Sequence, residues 1–220
     1  MINKIITIVA IFFLSFTVAA SNNIEQTKNS EELAKSVIDI IDPPGTAALK
    51  IILDSLSSLK ELKKHNRSNL KNIRALILVK LFPYLDINSA LKISLKGYWE
   101  DLSVEQRKIF YKYIVHSLVN DYAGILATYD NLDNINIAVD PNIIKKDNKA
   151  IVKLRITFND DSDITVVSLK MIRSNGWKVY DVVFSGVSLV KNYRSQFKSY
   201  IRRNSLEALI DKISKKINNV

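Results

Sequence analysis

The chain has 220 residues, a net charge of +10, no cysteine and an apolar content of 47%. That size and composition fit one globular domain with an ordinary core, and exclude a linker, a low-complexity chain or a disulfide-stapled miniprotein. Without cysteine there is no thiolate metal site or thiol chemistry, and the basic balance points to anionic partners, either nucleic acid or a membrane surface.

Residues 1–20 read as a signal peptide. Lys4 supplies the positive charge, residues 5–16 a short apolar run, and Val18-Ala19-Ala20 the small residues of a cleavage site. The run falls short of the ~20 residues that span a bilayer. The expected product is an exported single domain, 21–220, cleaved near Ala20.

From 21 to 129 the pattern is mainly helical. Leu33, Val37, Ile40 and Ile41 form a stripe that stops at Asp42-Pro43-Pro44-Gly45. Leu49, Ile52, Leu53, Leu56, Leu59 and Leu62 form a second, ended by the polar run at 65–69. Ile73, Leu76, Ile77, Val79 and Leu81 form a third, closing near Phe82-Pro83. Ser103 with Gln106 reads as a capping box. It opens the longest helix, with Phe110, Ile114, Leu118, Tyr122, Ile125 and Tyr129 on one apolar face.

From 134 to 185 the period switches to two. Asn175-Gly176 predicts a two-residue hairpin loop. Ser174 then pairs with Trp177, Met171 with Tyr180, Leu169 with Val182 and Val167 with Phe184, all six of the last on one face. Lys170 falls opposite Asp181 on the other face. A loop at 159–162 places Leu154 opposite Val167 and Val152 opposite Leu169, with the same apolar face inward. Strands are expected at 149–158, 163–173 and 177–185, with a weaker one at 135–139. Residues 187–218 return to basic amphipathic helix, with a second N-terminal cap expected from Asn204 to Glu207. The expected class is α+β: a curved antiparallel sheet of about four strands wrapped by long amphipathic helices. The pattern itself allows either a filled core or an enclosed apolar pocket.

Catalytic signals are absent. His65 and His116 lack metal-ligand spacing, and no nucleophile-elbow, P-loop or dinucleotide-binding glycine motif occurs. Ser185-Gly186-Val187-Ser188 reads as a turn plus helix cap. Asp160, Asp161 and Asp163 read as a solvated turn, since the rest of a calcium loop is missing. No metal and no catalytic residue is assigned.

Two stretches carry a family resemblance. Gly97-Tyr98-Trp99-Glu100 continues through Ser103, Gln106-Arg107 and Phe110 to Tyr122-Ala123, preceded by Phe82-Pro83-Tyr84-Leu85-Asp86-Ile87. Gly176-Trp177-Lys178-Val179-Tyr180-Asp181-Val182-Val183 runs into Gly186-Val187-Ser188-Leu189-Val190 and Asn192-Tyr193-Arg194-Ser195-Gln196-Phe197. Both resemble the MlaC (toluene-tolerance) family over roughly residues 82–217. Lys96 and Ile87 depart from it, standing where an apolar and an aromatic residue are usual.

The resemblance implies a periplasmic carrier that shuttles glycerophospholipid between outer and inner membranes and maintains lipid asymmetry, without covalent chemistry. It implies phospholipid as cargo, no cofactor, and no nucleic acid. The implied partners are an outer-membrane Mla lipoprotein complex and an inner-membrane Mla ABC transporter with an MCE-domain subunit. A monomer is expected. The acyl-chain pocket is then assigned to Val152, Leu154, Ile156, Val167, Leu169, Met171, Tyr180, Val182 and Phe184 of the sheet. Leu91, Leu95, Trp99, Phe110, Ile114, Leu118 and Tyr122 would face them from the helices. Arg194, Lys198, Arg202 and Arg203 are the candidates for partner or headgroup contact. The alternative is an exported basic module for another apolar ligand. A lipid-modifying enzyme would need a clustered acid, base or nucleophile, and a nucleic-acid binder would show strong salt dependence.

Overall fold

A computed structural model describes residues 43–128, 132, 135–158 and 164–218. The expected signal segment, the stripe at 33–41, Tyr129 and the loop aspartates Asp160, Asp161 and Asp163 lie outside the described residues.

Helix α1 (Pro44–Lys64) begins with proline at its first position, where the missing N–H costs nothing. Ala48, Ile51, Ile52, Ser55, Leu56 and Leu59 make its buried face. Helix α2 (Leu70–Leu76) is capped by Asn69, whose side chain accepts from the Asn72 N–H at 3.0 Å. It continues into a π-helical turn (Ile77–Leu81) and a 3-10 turn (Phe82–Tyr84). Helix α3 (Ile87–Ser94) follows, then a turn in which Gly97 takes φ +94, a conformation other residues resist.

Helix α4 (Val104–Thr128) has the expected capping box. The Ser103 N–H donates to Gln106 Oε1 at 2.9 Å, and the Gln106 N–H donates to Ser103 Oγ at 3.2 Å. Both contacts lie within one turn, which is why they are legible in sequence.

The strands are β1 (Ile135–Val139), β2 (Ile144–Lys146), β3 (Lys149–Phe158), β4 (Thr165–Ser174), β5 (Gly176–Phe184) and β6 (Val187–Ser188). The order is β1-β3-β4-β5-β6, antiparallel, with the short β2 also paired to β3. Leu154 pairs with Val167 and Val152 with Leu169, as the alternation predicts.

The β4–β5 hairpin corrects the expected register. Ser174 pairs with Gly176 and Arg173 with Trp177, not Ser174 with Trp177, and Met171 faces Val179, not Tyr180. A bulge then shifts the register by one residue. Beyond it Lys170–Asp181, Leu169–Val182 and Val167–Phe184 pair as expected. The cause is parity. Trp177 and Val179 are both buried, as are Met171, Leu169 and Val182. Trp177 and Val179 alternate on odd positions, Val182 and Phe184 on even ones. Only an extra residue between them lets both pairs face the core, and Tyr180 is that residue.

Helices α5 (Leu189–Arg203) and α6 (Leu206–Asn218) complete the chain. Ser188 caps α5, as the turn-plus-cap reading expects, and its Oγ accepts from the Lys191 N–H at 3.0 Å. The α6 cap is Ser205 rather than Asn204. Ser205 Oγ accepts from the Ala208 N–H, while Asn204 closes α5 by donating to the Tyr200 carbonyl. Either polar residue satisfies the cap rule in sequence, and the end of α5 decides between them. Helix α1 packs on β1, β3 and β5, while α3 and α5 pack together and reach β5. Helix α4 packs against α2, α3 and α6. Among the described residues no helix is long and apolar enough to cross a membrane.

Candidate functional site

The bulge in β5 organises the site. Where the strand bends, Val179, Tyr180, Asp181 and Val182 turn toward α3, α4 and α5 and line a crevice of about 40 Å³. Leu85, Ile87, Ala90, Leu91 and Ser94 come from α3 and its lead-in, Ile114 and Leu118 from α4, and Leu189, Val190 and Tyr193 from α5. The lining is almost wholly apolar.

Two aspartates hold the helices around this crevice. Asp86 caps α3, its Oδ1 accepting from the Ser89 N–H at 2.9 Å and its Oδ2 from the Ser89 hydroxyl at 2.6 Å. The Asp86 N–H donates to the Val179 carbonyl at 2.9 Å, which ties α3 to the bulge. Replacing Asp86 with alanine is expected to cost about 1 kcal/mol of stability, the usual value of an N-cap. Chemical denaturation checks this, and an unchanged midpoint would show the cap to be redundant.

Asp181 is 4% exposed. Its Oδ2 accepts from Lys170 Nζ at 2.8 Å and from the Ser188 hydroxyl at 2.7 Å, and its Oδ1 from the Val190 N–H at 3.1 Å. The pairing with Lys170 follows from the register, but the burial does not. It arises because the start of α5 covers this part of the sheet.

A cluster of tyrosines extends from the crevice along α4 and α5. Burial pushes the Tyr122 hydroxyl up to about 12, with Asp121 adding to the effect. Burial also raises Tyr193, helped by Tyr122, Tyr113 and Asp121. A raised phenol favours the neutral, folded state, so the stabilisation is complete below the ordinary value of 10.0 and is lost as pH rises toward about 12. Stability is therefore expected to fall across that window, and less steeply in the Tyr122→Phe/Tyr193→Phe double variant. Equal slopes in alkaline denaturation would sink this prediction.

Of the residues expected to contact acyl chains, the crevice brings together Leu91, Ile114, Leu118, Tyr180 and Val182. Val152, Leu154, Ile156, Val167, Leu169 and Met171 are all buried in the core cluster, with Phe184 half-buried against it. Leu95 is likewise buried. Phe110 meets Phe197 edge-on, ring centroids 5.5 Å apart, and joins α4 to α5. Trp99 holds the α3–α4 turn. Its carbonyl accepts from Arg107 Nη2 at 2.9 Å, and that guanidinium lies 4.7 Å from the indole. Tyr122 is half-buried in the tyrosine cluster.

Sequence reasoning missed Leu85, Ile87, Ala90, Val179, Leu189, Val190 and Tyr193. The apolar side chains at the alternate odd positions 177 and 179 are the signal that could have found Val179. Arg194 and Lys198 line a cleft with Lys96 and Gly97, whereas Arg202 and Arg203 stand in the last turn of α5. Among the described residues no group of His, Cys, Asp or Glu could hold a metal ion.

Residues 50–215 match the family model described as MlaC protein. The chain is 26% identical over 163 residues to the intermembrane phospholipid transport system binding protein MlaC of Haemophilus influenzae, covering 67% of this chain and 72% of that protein. It is 28% identical over 134 residues to the toluene tolerance protein ttg2D of Pseudomonas putida, covering 60% and 61% respectively. A solved structure of a phospholipid-binding protein from Ralstonia solanacearum, in complex with a phospholipid, superposes with a TM-score of 0.63 at 25% identity, over 74% of this chain and 90% of that one.

Proposed function

The chain belongs to the MlaC family, and from that premise we propose that it is a periplasmic phospholipid carrier acting between membranes without covalent chemistry. The observation that carries this reading is the apolar crevice at the β5 bulge, in a fold shared with a protein solved around a phospholipid. The names of the relatives supply the process, intermembrane phospholipid transport.

The physics of such a cargo sets the mechanism. Two acyl chains carry about 30 methylenes at ~0.8 kcal/mol each, on the order of 24 kcal/mol of transfer from water. That exceeds the roughly 18–21 kcal/mol at which affinities saturate. A loaded carrier therefore does not release lipid into water. Against a bilayer the apolar terms nearly cancel, so exchange happens where the crevice mouth docks on a membrane or a membrane protein. An outer-membrane lipoprotein complex and an inner-membrane ABC transporter with an MCE-domain subunit fit that role.

The crevice of about 40 Å³ has room for a few water-sized spheres, whereas ligand pockets span roughly 300–1,000 Å³. Loading thus requires α3 and α5 to part from β5. Short α3 is held to β5 by the Asp86 N–H bond to the Val179 carbonyl and to α5 by the Ser94 hydroxyl at the Val190 carbonyl, so it has few polar contacts to break.

Native mass spectrometry of the exported chain, purified without detergent, tests the proposal. One phospholipid mass per chain, lost on denaturation, is expected. A bare chain that stays bare after incubation with phospholipid vesicles would overturn it and leave a filled core as the reading of the apolar faces.

A further inference from the structure

Beside the apolar crevice lies a second, larger cleft of about 300 Å³ with the opposite chemistry. Ser94, Lys96, Gly97, Tyr98, Arg194 and Lys198 line it, with no acidic side chain among them. The two cavities share Ser94. Its hydroxyl donates to the Ala90 carbonyl at 2.8 Å and reaches the Val190 carbonyl at 3.3 Å, so the wall between them is one turn of α3 seated on the start of α5.

The cations of this cleft stand apart from their neighbours. Lys92 and Arg107, outside its lining, are paired with Glu100 at 3.0 and 3.8 Å. Among the described residues Lys96, Arg194 and Lys198 make no ion pair. Gly97, at φ +94, has open space where a Cβ would stand, so the backbone of the turn faces the cleft uncovered. Three like charges converging on one cavity repel each other, and a bound anion relieves that repulsion. Arginine supplies a planar fork that matches two oxygens of a phosphate, and lysine supplies a point charge beside it.

We propose that this cleft seats the phosphodiester of the cargo, with Lys96, Arg194 and Lys198 as its ligands, while the acyl chains enter the adjoining crevice across Ser94. The proposal rests on the carrier reading and adds to it a recognition element for the phosphate that every glycerophospholipid shares. It makes the protein selective for phosphate-bearing lipids over neutral glycerides and tolerant of what the phosphate carries.

The test is a loading competition. The full exported chain is incubated with vesicles holding equal amounts of phosphatidylglycerol and diacylglycerol of identical acyl chains, and the bound lipid is extracted and quantified. The natural chain is expected to favour phosphatidylglycerol by about tenfold or more, the size of a charge-assisted hydrogen-bond contribution. The Arg194→Gln/Lys198→Gln variant is expected to lose most of that preference, and Arg194→Lys/Lys198→Arg to restore part of it. Lys146→Gln/Arg155→Gln removes two charges from exposed positions on β2 and β3 and controls for net charge. Thermal melts establish that each variant is folded.

A preference unchanged in the folded double variant would overturn the proposal and leave the carrier reading standing. If that variant also transfers lipid more slowly between vesicles, the cations serve docking instead, and the proposal equally fails. Amide shifts at Gly97 and Arg194 with inorganic phosphate alone, without any lipid preference, would make the cleft a free-anion site and overturn the lipid assignment. A natural chain that takes up neither lipid would overturn the carrier reading itself.

Discussion

Replacing Asp181 with alanine is expected to lower the melting temperature by roughly 6–12 °C, the shift that ~3 kcal/mol produces in a protein of this size. Three donors converge on this carboxylate, from Lys170, Ser188 and Val190. Removing it leaves an ammonium that is only 25% exposed without its partner, and a buried N–H and hydroxyl without an acceptor. The figure sits at the low end for a broken buried pair because Lys170 retains some contact with water. The negative charge also stands at the N-terminus of α5, where the helix dipole favours it. The damage should extend beyond stability, because Ser188 is both a ligand of Asp181 and the cap of α5, and α5 brings Val190 and Tyr193 to the crevice. Asp181→Asn keeps the shape and part of the hydrogen bonding, so its shift should be about half as large. Melts followed by circular dichroism measure both, and a drop of under roughly 2 °C for the alanine variant would show that the network is dispensable.

The second large effect is expected on lipid loading rather than stability. Ala90 is half-buried and lines the crevice from α3. A tryptophan there occupies space that acyl methylenes would take. Displacing even two methylenes costs ~1.6 kcal/mol, about a tenfold loss in affinity, and an indole displaces more than two. Ala90→Trp should therefore retain at most about a tenth of the lipid that the natural chain keeps in competition with vesicles. Asn88→Trp places the same group on the exposed side of the same helix and should load normally. Overpacking costs some stability, typically 1–3 kcal/mol, so the comparison is made on protein whose melt is still cooperative. Full lipid occupancy in a folded Ala90→Trp chain would move the acyl site away from this crevice.

Both experiments turn on features with different standing in the sequence. The Lys170–Asp181 pairing agrees with the sequence reading because the one-residue bulge offsets the one-residue difference at the turn. That Asp181 is buried is not legible, because the cover comes from α5, whose position is a tertiary matter. Ala90 carries no sequence signal of its own. It is a small residue on a short helix and becomes a crevice wall only where α3 meets the bulge.

What the sequence determined by itself is what local and periodic rules can carry. The Ser103–Gln106 capping box is closed within one turn of helix. The inward face of β3 and β4 follows from alternation, because one buried face leaves a single register available. The α+β class follows from the order of the periods, and the family motifs from Gly97 to Phe110 and from Gly176 to Phe197 stand in the chain as written. Only the tertiary structure decided the rest. The bulge at Tyr180 overrides the turn preference of Asn175-Gly176, because burying Trp177 and Val179 together with Val182 gains more than an ideal two-residue loop. Phe110 and Leu118 share one helical pattern of burial on α4, yet Phe110 meets Phe197 and Leu118 meets the crevice, since periodicity tells which side is inside and not what lies there. The basic cleft joins a turn at 96–98 to a helix face at 194 and 198. Residues so far apart in the chain are brought together by packing alone, which is why their shared charge cannot be read along the sequence.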